Sequence, residues 1–414
     1  MKRKTLLIVF ALIINSTFLF NTGFTQWVEL TGPFFGGIRS IVVSGTNIFA
    51  GTYGYGVKIS TNNGTNWSNT GLPNEYVTPL VLSGTTLFVG TQTGVYSSTN
   101  NGTNWTALNG GLTNLYISSL VFSGTNLFAG TFTGGVFMST NNGLNWSVAS
   151  NGITNNQVWT MAVLGTFIYT GGVGGVYASN NNGANWTAVN NGLTNLNVSA
   201  LAVSGTKIFA GTQNGVYVST NNGILWTSAN NGLTSPSINS LYVTGTNIFA
   251  GTDNYNGGPG GVYLSTNNGA NWLVKNQGFL TVPSVLSILV TNNYILAGTS
   301  SFTMFRRLYS EIIGIKNISS EVPSGFSMSQ NYPNPFNPTT KIHFDIPRWR
   351  GEGGWTTLRV YDIMGREVQT LVNEKLQPGT YEVTFDGSAL TSGVYFYKLT
   401  ADGFSETRRM LLVK

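Results

Sequence analysis

The sequence predicts an all-β chain: a ring of repeated four-stranded sheets followed by a small β-sandwich. Three observations carry this. An octapeptide, S-T-N-N-G-x-N-W or a near copy, occurs six times, ending at Trp67, Trp105, Trp146, Trp186, Trp226 and Trp272, at spacings of 38, 41, 40, 40 and 46 residues. Each period holds four short β-rich runs, the sequence signature of a propeller blade. After about Ser310 the repeat stops and charged residues become common.

The chain opens with Lys2, Arg3 and Lys4, an apolar run Leu6–Ile14, and small residues Gly23 and Thr25 ahead of Gln26. This is the pattern of a secretory signal peptide over 1–25. Asn15, Ser16 and Asn21 interrupt the run before membrane-spanning length, so this is the only membrane-directed segment expected. The chain has no Cys, which rules out disulfides and a lipid-modified cysteine.

The repeat unit is clearest from Val198. Its β-rich runs are Val198–Val203, Ile208–Gly211, Gly215–Ser219 and a strand opening at Trp226, joined by S-G-T, T-Q-N-G and N-N-G. Each connection carries the Gly that a tight hairpin needs for positive φ. The runs are too short for helices and lack a 3.6-residue stripe. The S-G-T…A-G-T half recurs seven times, the last a worn copy at Thr291–Thr299, whereas the Trp strand recurs six times. Trp27 lies 40 residues before Trp67 and aligns with it. The N-terminal segment is therefore expected to supply the outer strand of the last blade, giving a seven-bladed β-propeller over 26–310 with no open sheet edge. An open β-solenoid would leave that orphan strand unexplained.

The octapeptide resembles the Asp-box of sialidase-type (BNR) repeats, S-x-D-x-G-x-x-W, carried here by Ser60, Asn62, Gly64 and Trp67 and their equivalents. Asn stands where the family prefers Asp, and either side chain can accept bonds from nearby backbone N–H groups. The Gly is expected to take the left-handed conformation and the Trp to pack into the blade sheet as a structural residue. The resemblance implies that these turns lie away from the face used for catalysis in that family.

Residues 311–328 read as a linker and 329–414 as an immunoglobulin-like sandwich. Strand-like runs fall at Thr357–Tyr361, Glu367–Val372, Thr380–Phe385, Val394–Thr400 and Ser405–Val413, separated by D-I-M-G, Q-P-G, T-S-G and A-D-G. Y-P-N-P-F-N-P-T-T, V-Y-D-I-M-G-R-E-V, P-G-T-Y-E-V-T-F-D, S-G-V-Y-F-Y-K-L and a terminal R-R-M-L-L-V-K are similar to the type A C-terminal sorting domain of type IX secretion substrates. That resemblance implies a Gram-negative bacterium of the Bacteroidetes–Chlorobi kind, engagement of the type IX machinery, and release from or attachment to the cell surface. The insertion Arg348–Trp355 reads as a lengthened hairpin.

Charge argues against a nucleic-acid partner. Of the formal +6, three charges come from Lys2, Arg3 and Lys4, and none of the rest forms a patch dense enough to track phosphates. Chemistry is poorly supplied as well. Within 26–310 the carboxylates are Glu29, Glu75 and Asp253, the arginines Arg39, Arg306 and Arg307, and the sole histidine, His343, lies in the tail. Glycosidases generally need two carboxylates across the scissile bond, and only Glu75 and Asp253 fall in loops. No enzyme activity, metal site or cofactor is expected. A glycoside hydrolase is the third reading.

Binding is the leading expectation. The S-G-T and N-N-G turns share one rim and hardly vary; the opposite rim varies. There stand Tyr53, Tyr55, Glu75, Tyr76 and Phe132, with Asp253 and Tyr255 in a blade-six insertion. The position opening each innermost strand reads Arg39, Thr78, Ser118, Trp159, Ser199, Asn239 and Leu286. Trp159 is either a sugar platform or peptide anchor, or a plug for the ring. The candidates are thus Arg39, Tyr53, Tyr55, Glu75, Tyr76, Trp159, Asp253 and Tyr255, for an extracellular glycan or protein. The alternative is a structural surface or matrix component with no specific ligand.

Overall fold

The computed structural model describes residues 26–414 apart from 73, 246, 255–257, 292, 320, 349–353 and 388–389. The expected signal peptide, 1–25, and the candidate Tyr255 lie outside the described residues. The chain is all-β, and one five-residue helix, Tyr309–Ile313, is the only helix among the described residues.

Each repeat folds into a four-stranded antiparallel meander. The first consists of Ile38–Ser44, Asn47–Thr52, Gly56–Ser60 and Ser68–Asn69, in that order. Five more follow in sequence. The seventh uses Val285–Val290, Tyr294–Thr299 and Met304–Leu308, and its outer strand is Val28–Leu30 from the N-terminus. Val28 pairs with Arg306 and Leu30 with Met304, so the segment at Trp27 takes the place the repeat count assigns to it.

The octapeptide turn explains its own composition. Ser60 Oγ accepts the Gly64 N–H at 2.9 Å, and Asn62 Oδ1 accepts the Asn66 N–H at 2.8 Å. An amide oxygen therefore does the work expected of a carboxylate. Both Asn63 (φ 56°) and Gly64 (φ 80°) are left-handed, the region where Gly and then Asn are best tolerated.

The tryptophans depart from expectation. They pack between sheets rather than into their own. The Trp146 indole donates to Leu108 O at 2.8 Å, and those of Trp186, Trp226 and Trp272 donate to Ala149, Val189 and Ala229, each at 2.7 Å. Every acceptor belongs to the preceding repeat, and all four rings are buried. Trp67 and Trp105 are half-buried and donate instead within their own turns, to Gly64 O and Gly102 O. Trp67 meets Phe34 edge-on at 5.1 Å, a residue of the irregular N-terminal stretch that stands in for a preceding repeat.

Sheet meets sheet through the Gly of each A-G-T. A Cβ on Gly211 would come within 2.5 Å of Ile238 Cγ2 in the next repeat. The contact recurs along the series, and Gly298 of the seventh sheet makes it with Ile38 of the first, at 2.6 Å. The second strand is correspondingly buried on both faces, as at Ile48, Phe49 and Ala50, which suits its continuous apolar run. Seven antiparallel sheets packed in series fit a propeller-like fold.

The tail is a sandwich of two four-stranded sheets over one core that includes Phe344, Phe385, Leu358 and Tyr397. Two boundaries differ from the sequence reading. Ile315–Ser319, expected within a linker, is a strand paired with Gly379–Asp386, and Ser327–Met328 pairs with Thr339–Ile346. Ile312 is buried against Trp27 and Phe249, and Ile313 packs against both this cluster and the sandwich core. Gly314, left-handed at φ 83°, ends the helix and turns directly into the sandwich. Most of the Arg348–Trp355 insertion, expected as a lengthened hairpin, lies outside the described residues. The described strands on either side of it, Thr339–Ile346 and Gly354–Tyr361, lie in different sheets.

Candidate functional site

The innermost strands present their opening residues through a backbone irregularity. In six of the seven sheets the register with the second strand shifts there, as between Ile38 and Ser40 or Val158 and Thr160. The skipped residues are Arg39, Ser118, Trp159, Ser199, Asn239 and Leu286. A bulge re-aims the side chain it carries. These six, with Thr78 in the second repeat, line one cavity of about 320 Å³ together with Tyr53, Tyr116 and Phe132. A second cavity of about 260 Å³ shares the same seven residues and continues among those that follow them. The seven positions therefore border both cavities.

Their polar groups divide into two sets. Thr78 Oγ1 donates to Ile117 O at 2.6 Å, Ser118 Oγ reaches Val158 O, and Ser199 Oγ reaches Ile238 O. Those hydroxyls tie one sheet to the next. In the first and fourth sheets the following residue forms the tie, Ser40 Oγ accepting Leu80 N–H and Thr160 Oγ1 accepting Leu201 N–H. In the seventh, Ser287 Oγ donates to Ile38 O at 2.8 Å. Arg39 and Trp159 are thereby released from holding sheets together. Trp159 Nε1 and Asn239 Nδ2 are buried without a hydrogen-bond partner among the described residues.

Aromatic rings form one side of the mouth. Tyr53 meets Tyr76 edge-on at 4.4 Å, Tyr116 stacks on Phe132 at 5.0 Å, and the Arg39 guanidinium lies 5.5 Å from the Tyr53 ring. The Tyr116 hydroxyl, hydrogen-bonded to that of Tyr53, pushes the Tyr53 phenol above its ordinary range; burial adds to this and Arg39 opposes it. Tyr53, Tyr76 and Phe132 remain 37–39% exposed, so part of each ring is accessible to a ligand.

Of the eight sequence candidates, Arg39, Tyr53 and Trp159 line the cavity, and Tyr76 touches it through Tyr53. Tyr55 turns instead to Phe35, 5.6 Å away. Glu75 accepts from Thr93 Oγ1 at 2.9 Å, and Asp253 accepts from Ser284 Oγ at 2.5 Å; neither lines the cavity. Tyr116 was missing from the candidates. Its signal is positional, since it stands two residues before the bulge, where Tyr76 stands in the preceding repeat and smaller or amide side chains stand elsewhere. Arg306 and Arg307, adjacent in one strand, face opposite ways. Arg306 lies over Tyr294 and donates to Asn63 O, while Arg307 is buried beside Lys275 and Gln277. They join the seventh sheet to its two neighbours.

Residues 330–414 match the family described as "Secretion system C-terminal sorting domain". The sandwich is therefore a sorting domain, and the protein is a substrate of type IX secretion, bound for the cell surface or the medium. Among solved structures, the chain is similar to the computationally designed Ika8 protein at 13% identity and a TM-score of 0.50, covering 69% of this chain and 99% of that one. It is also similar to an extracellular domain assigned to the hybrid two component system BT4673 from B. thetaiotaomicron, at 16% identity and a TM-score of 0.58. That match covers 78% of this chain but 45% of the other, so the chain spans less than half of that domain. At such identities the likeness is one of fold alone. No curated protein matches the chain.

Proposed function

We propose that the protein is a non-catalytic binding module: a closed, seven-bladed, Asp-box-like propeller, exported by type IX secretion, that takes a glycan or protein ligand at its variable rim. Closure is supported by the Gly298–Ile38 contact and the Ser287–Ile38 bond, which repeat between the last and first sheets what every other pair does. The observation that carries the binding reading is the convergence of the seven residues that open the innermost strands, six of them at bulges, and an exposed aromatic wall on one cavity. Scaffolding alone requires no such asymmetry, because Thr78, Ser118 and Ser199 show what purely structural occupants of these positions look like. A hydrolase is disfavoured because the carboxylates Glu75 and Asp253 are engaged elsewhere and neither borders the cavity. The test is retention of the secreted full-length chain on a panel of polysaccharides and cell-surface proteins, with Trp159→Ala alongside and its melting temperature as a folding control. Retention lost in the folded variant supports the module. No retention by the native chain favours a structural surface component.

A further inference from the structure

Building on that binding reading, we infer that the ligand is an acidic sugar, a hexuronate unit at the end or branch of a polysaccharide, with its carboxylate on Arg39. Arg39 is the only charged residue lining the cavity. It is solvent-exposed at the mouth, and among the described residues it makes no ion pair; only the Tyr53 ring holds it. A guanidinium at a concave site favours a carboxylate, whose two oxygens match its fork of donors.

The remaining groups call for both acceptors and donors in the ligand. Trp159 and Asn239 line the cavity, and their Nε1 and Nδ2 have unused hydrogens among the described residues; a buried donor without a partner is costly unless water or ligand oxygen satisfies it. Thr78, Ser118 and Ser199 have committed their protons to backbone carbonyls, so toward the cavity they offer lone pairs. A pyranose ring meets these demands together. Its hydroxyls both give and accept, and its C–H groups suit the exposed parts of the Tyr53 and Phe132 rings. A neutral sugar leaves Arg39 unmatched. A peptide C-terminus matches Arg39 but brings few hydroxyl donors. At about 320 Å³ the cavity is at the small end of ligand sites, roughly 300–1,000 Å³, which favours a single sugar unit over a longer stretch of chain.

Calorimetric titration of the full secreted chain with trigalacturonate and with its neutral counterpart, galactotriose, tests this. The acidic trimer should bind about tenfold more tightly or better, with affinity falling as salt rises. Arg39→Gln should erase the preference for the acidic trimer without lowering the melting temperature. Equal affinity for both trimers, or a native preference that survives Arg39→Gln, overturns the inference but leaves a sugar-binding module standing. Failure to bind either trimer also overturns it. In that case the panel of polysaccharides and proteins shows separately whether the wider binding reading falls too.

Discussion

The indole N–H of Trp27 donates to the backbone carbonyl of Lys275 at 2.6 Å, across 248 residues of chain. Its backbone N–H bonds Gln277 O at 2.8 Å, just as those of Trp186, Trp226 and Trp272 bond Asn151, Asn191 and Asn231. Trp27 thus repeats the geometry of the octapeptide tryptophans without the octapeptide. It also stacks on Phe279 at 5.3 Å and is 3% exposed. The residue that completes the last sheet is thereby also a wedge between that sheet and the one before it.

Trp27→Ala should cost about 3–5 kcal/mol, the range for truncating a buried tryptophan, and Trp27→Phe about 1–2 kcal/mol, mostly for the orphaned carbonyl. Val28→Ala, at a neighbouring site 57% exposed, should be nearly neutral. Urea midpoints of the three variants decide it. Equal midpoints for Trp27→Ala and Val28→Ala would mean that the N-terminal strand contributes nothing to the fold.

The six octapeptide tryptophans should not be equivalent. Trp226, 2% exposed and bonded to Val189 O, should lose about 3–5 kcal/mol on replacement by Ala. Trp67, half-buried and bonded within its own turn, should lose clearly less. Identical losses in paired denaturant titrations would show that the inter-sheet bond carries no weight.

Gly211→Ala places a methyl within 2.5 Å of Ile238 Cγ2 while leaving the hairpins untouched, so the penalty is one of overpacking, about 1–3 kcal/mol. Adding Ile238→Ala should give a double variant more stable than the sum of the two single losses, because the residues compete for one space. Strict additivity would contradict the close packing of adjacent sheets.

Much of this was legible because repetition makes a sequence its own alignment. Equivalent residues could be lined up, which located Trp27 and the seven channel positions before any geometry was known. What stayed hidden depends on neighbours far away in the chain. That Ser118 is committed to Val158 O while Trp159 is uncommitted follows from how one sheet leans on the next. The tryptophans' place between sheets was hidden for the same reason. Ile315–Ser319 is five residues long and pairs with Gly379–Asp386, some sixty residues on, so no local hairpin signal marks it as a strand. Tyr116 is an ordinary strand aromatic until its stacking on Phe132 and its hydroxyl contact with Tyr53 place it at the cavity.

Tyr169 marks a local inconsistency. It occupies the second-strand position that holds Phe49, Phe128, Phe209 and Phe249 in other repeats, is fully buried, and its hydroxyl has no hydrogen-bond partner among the described residues. Burial pushes its phenol up to about 12. Tyr169→Phe should therefore stabilise the protein by about 1 kcal/mol or more, since it removes an unsatisfied polar group and keeps the ring. A lower melting temperature for the variant would show that the hydroxyl has a partner, such as a buried water.

Lys275 supplies the pH dependence. Its carbonyl receives Trp27, while its ammonium is desolvated and lies near the cationic Arg307, which together lower its pKa to about 8. Between about pH 8 and the ordinary lysine value of 10.5, the unfolded chain holds a proton on this residue that the folded chain has released. The unfolded state binds more protons across that window, so this group makes stability rise with pH there. Below pH 8 the folded protein carries the whole penalty, up to about 3 kcal/mol. Lys275→Met keeps the carbonyl and the aliphatic stem but removes the charge. It should be more stable than the native chain at pH 7, and its advantage should shrink to nothing by about pH 10.5. Comparing the two chains at each pH cancels the titration of the tyrosines and other lysines common to both. An advantage that stays constant from pH 7 to 10.5 would show that the gain comes from packing alone and that Lys275 is not held in a desolvated, cation-flanked site.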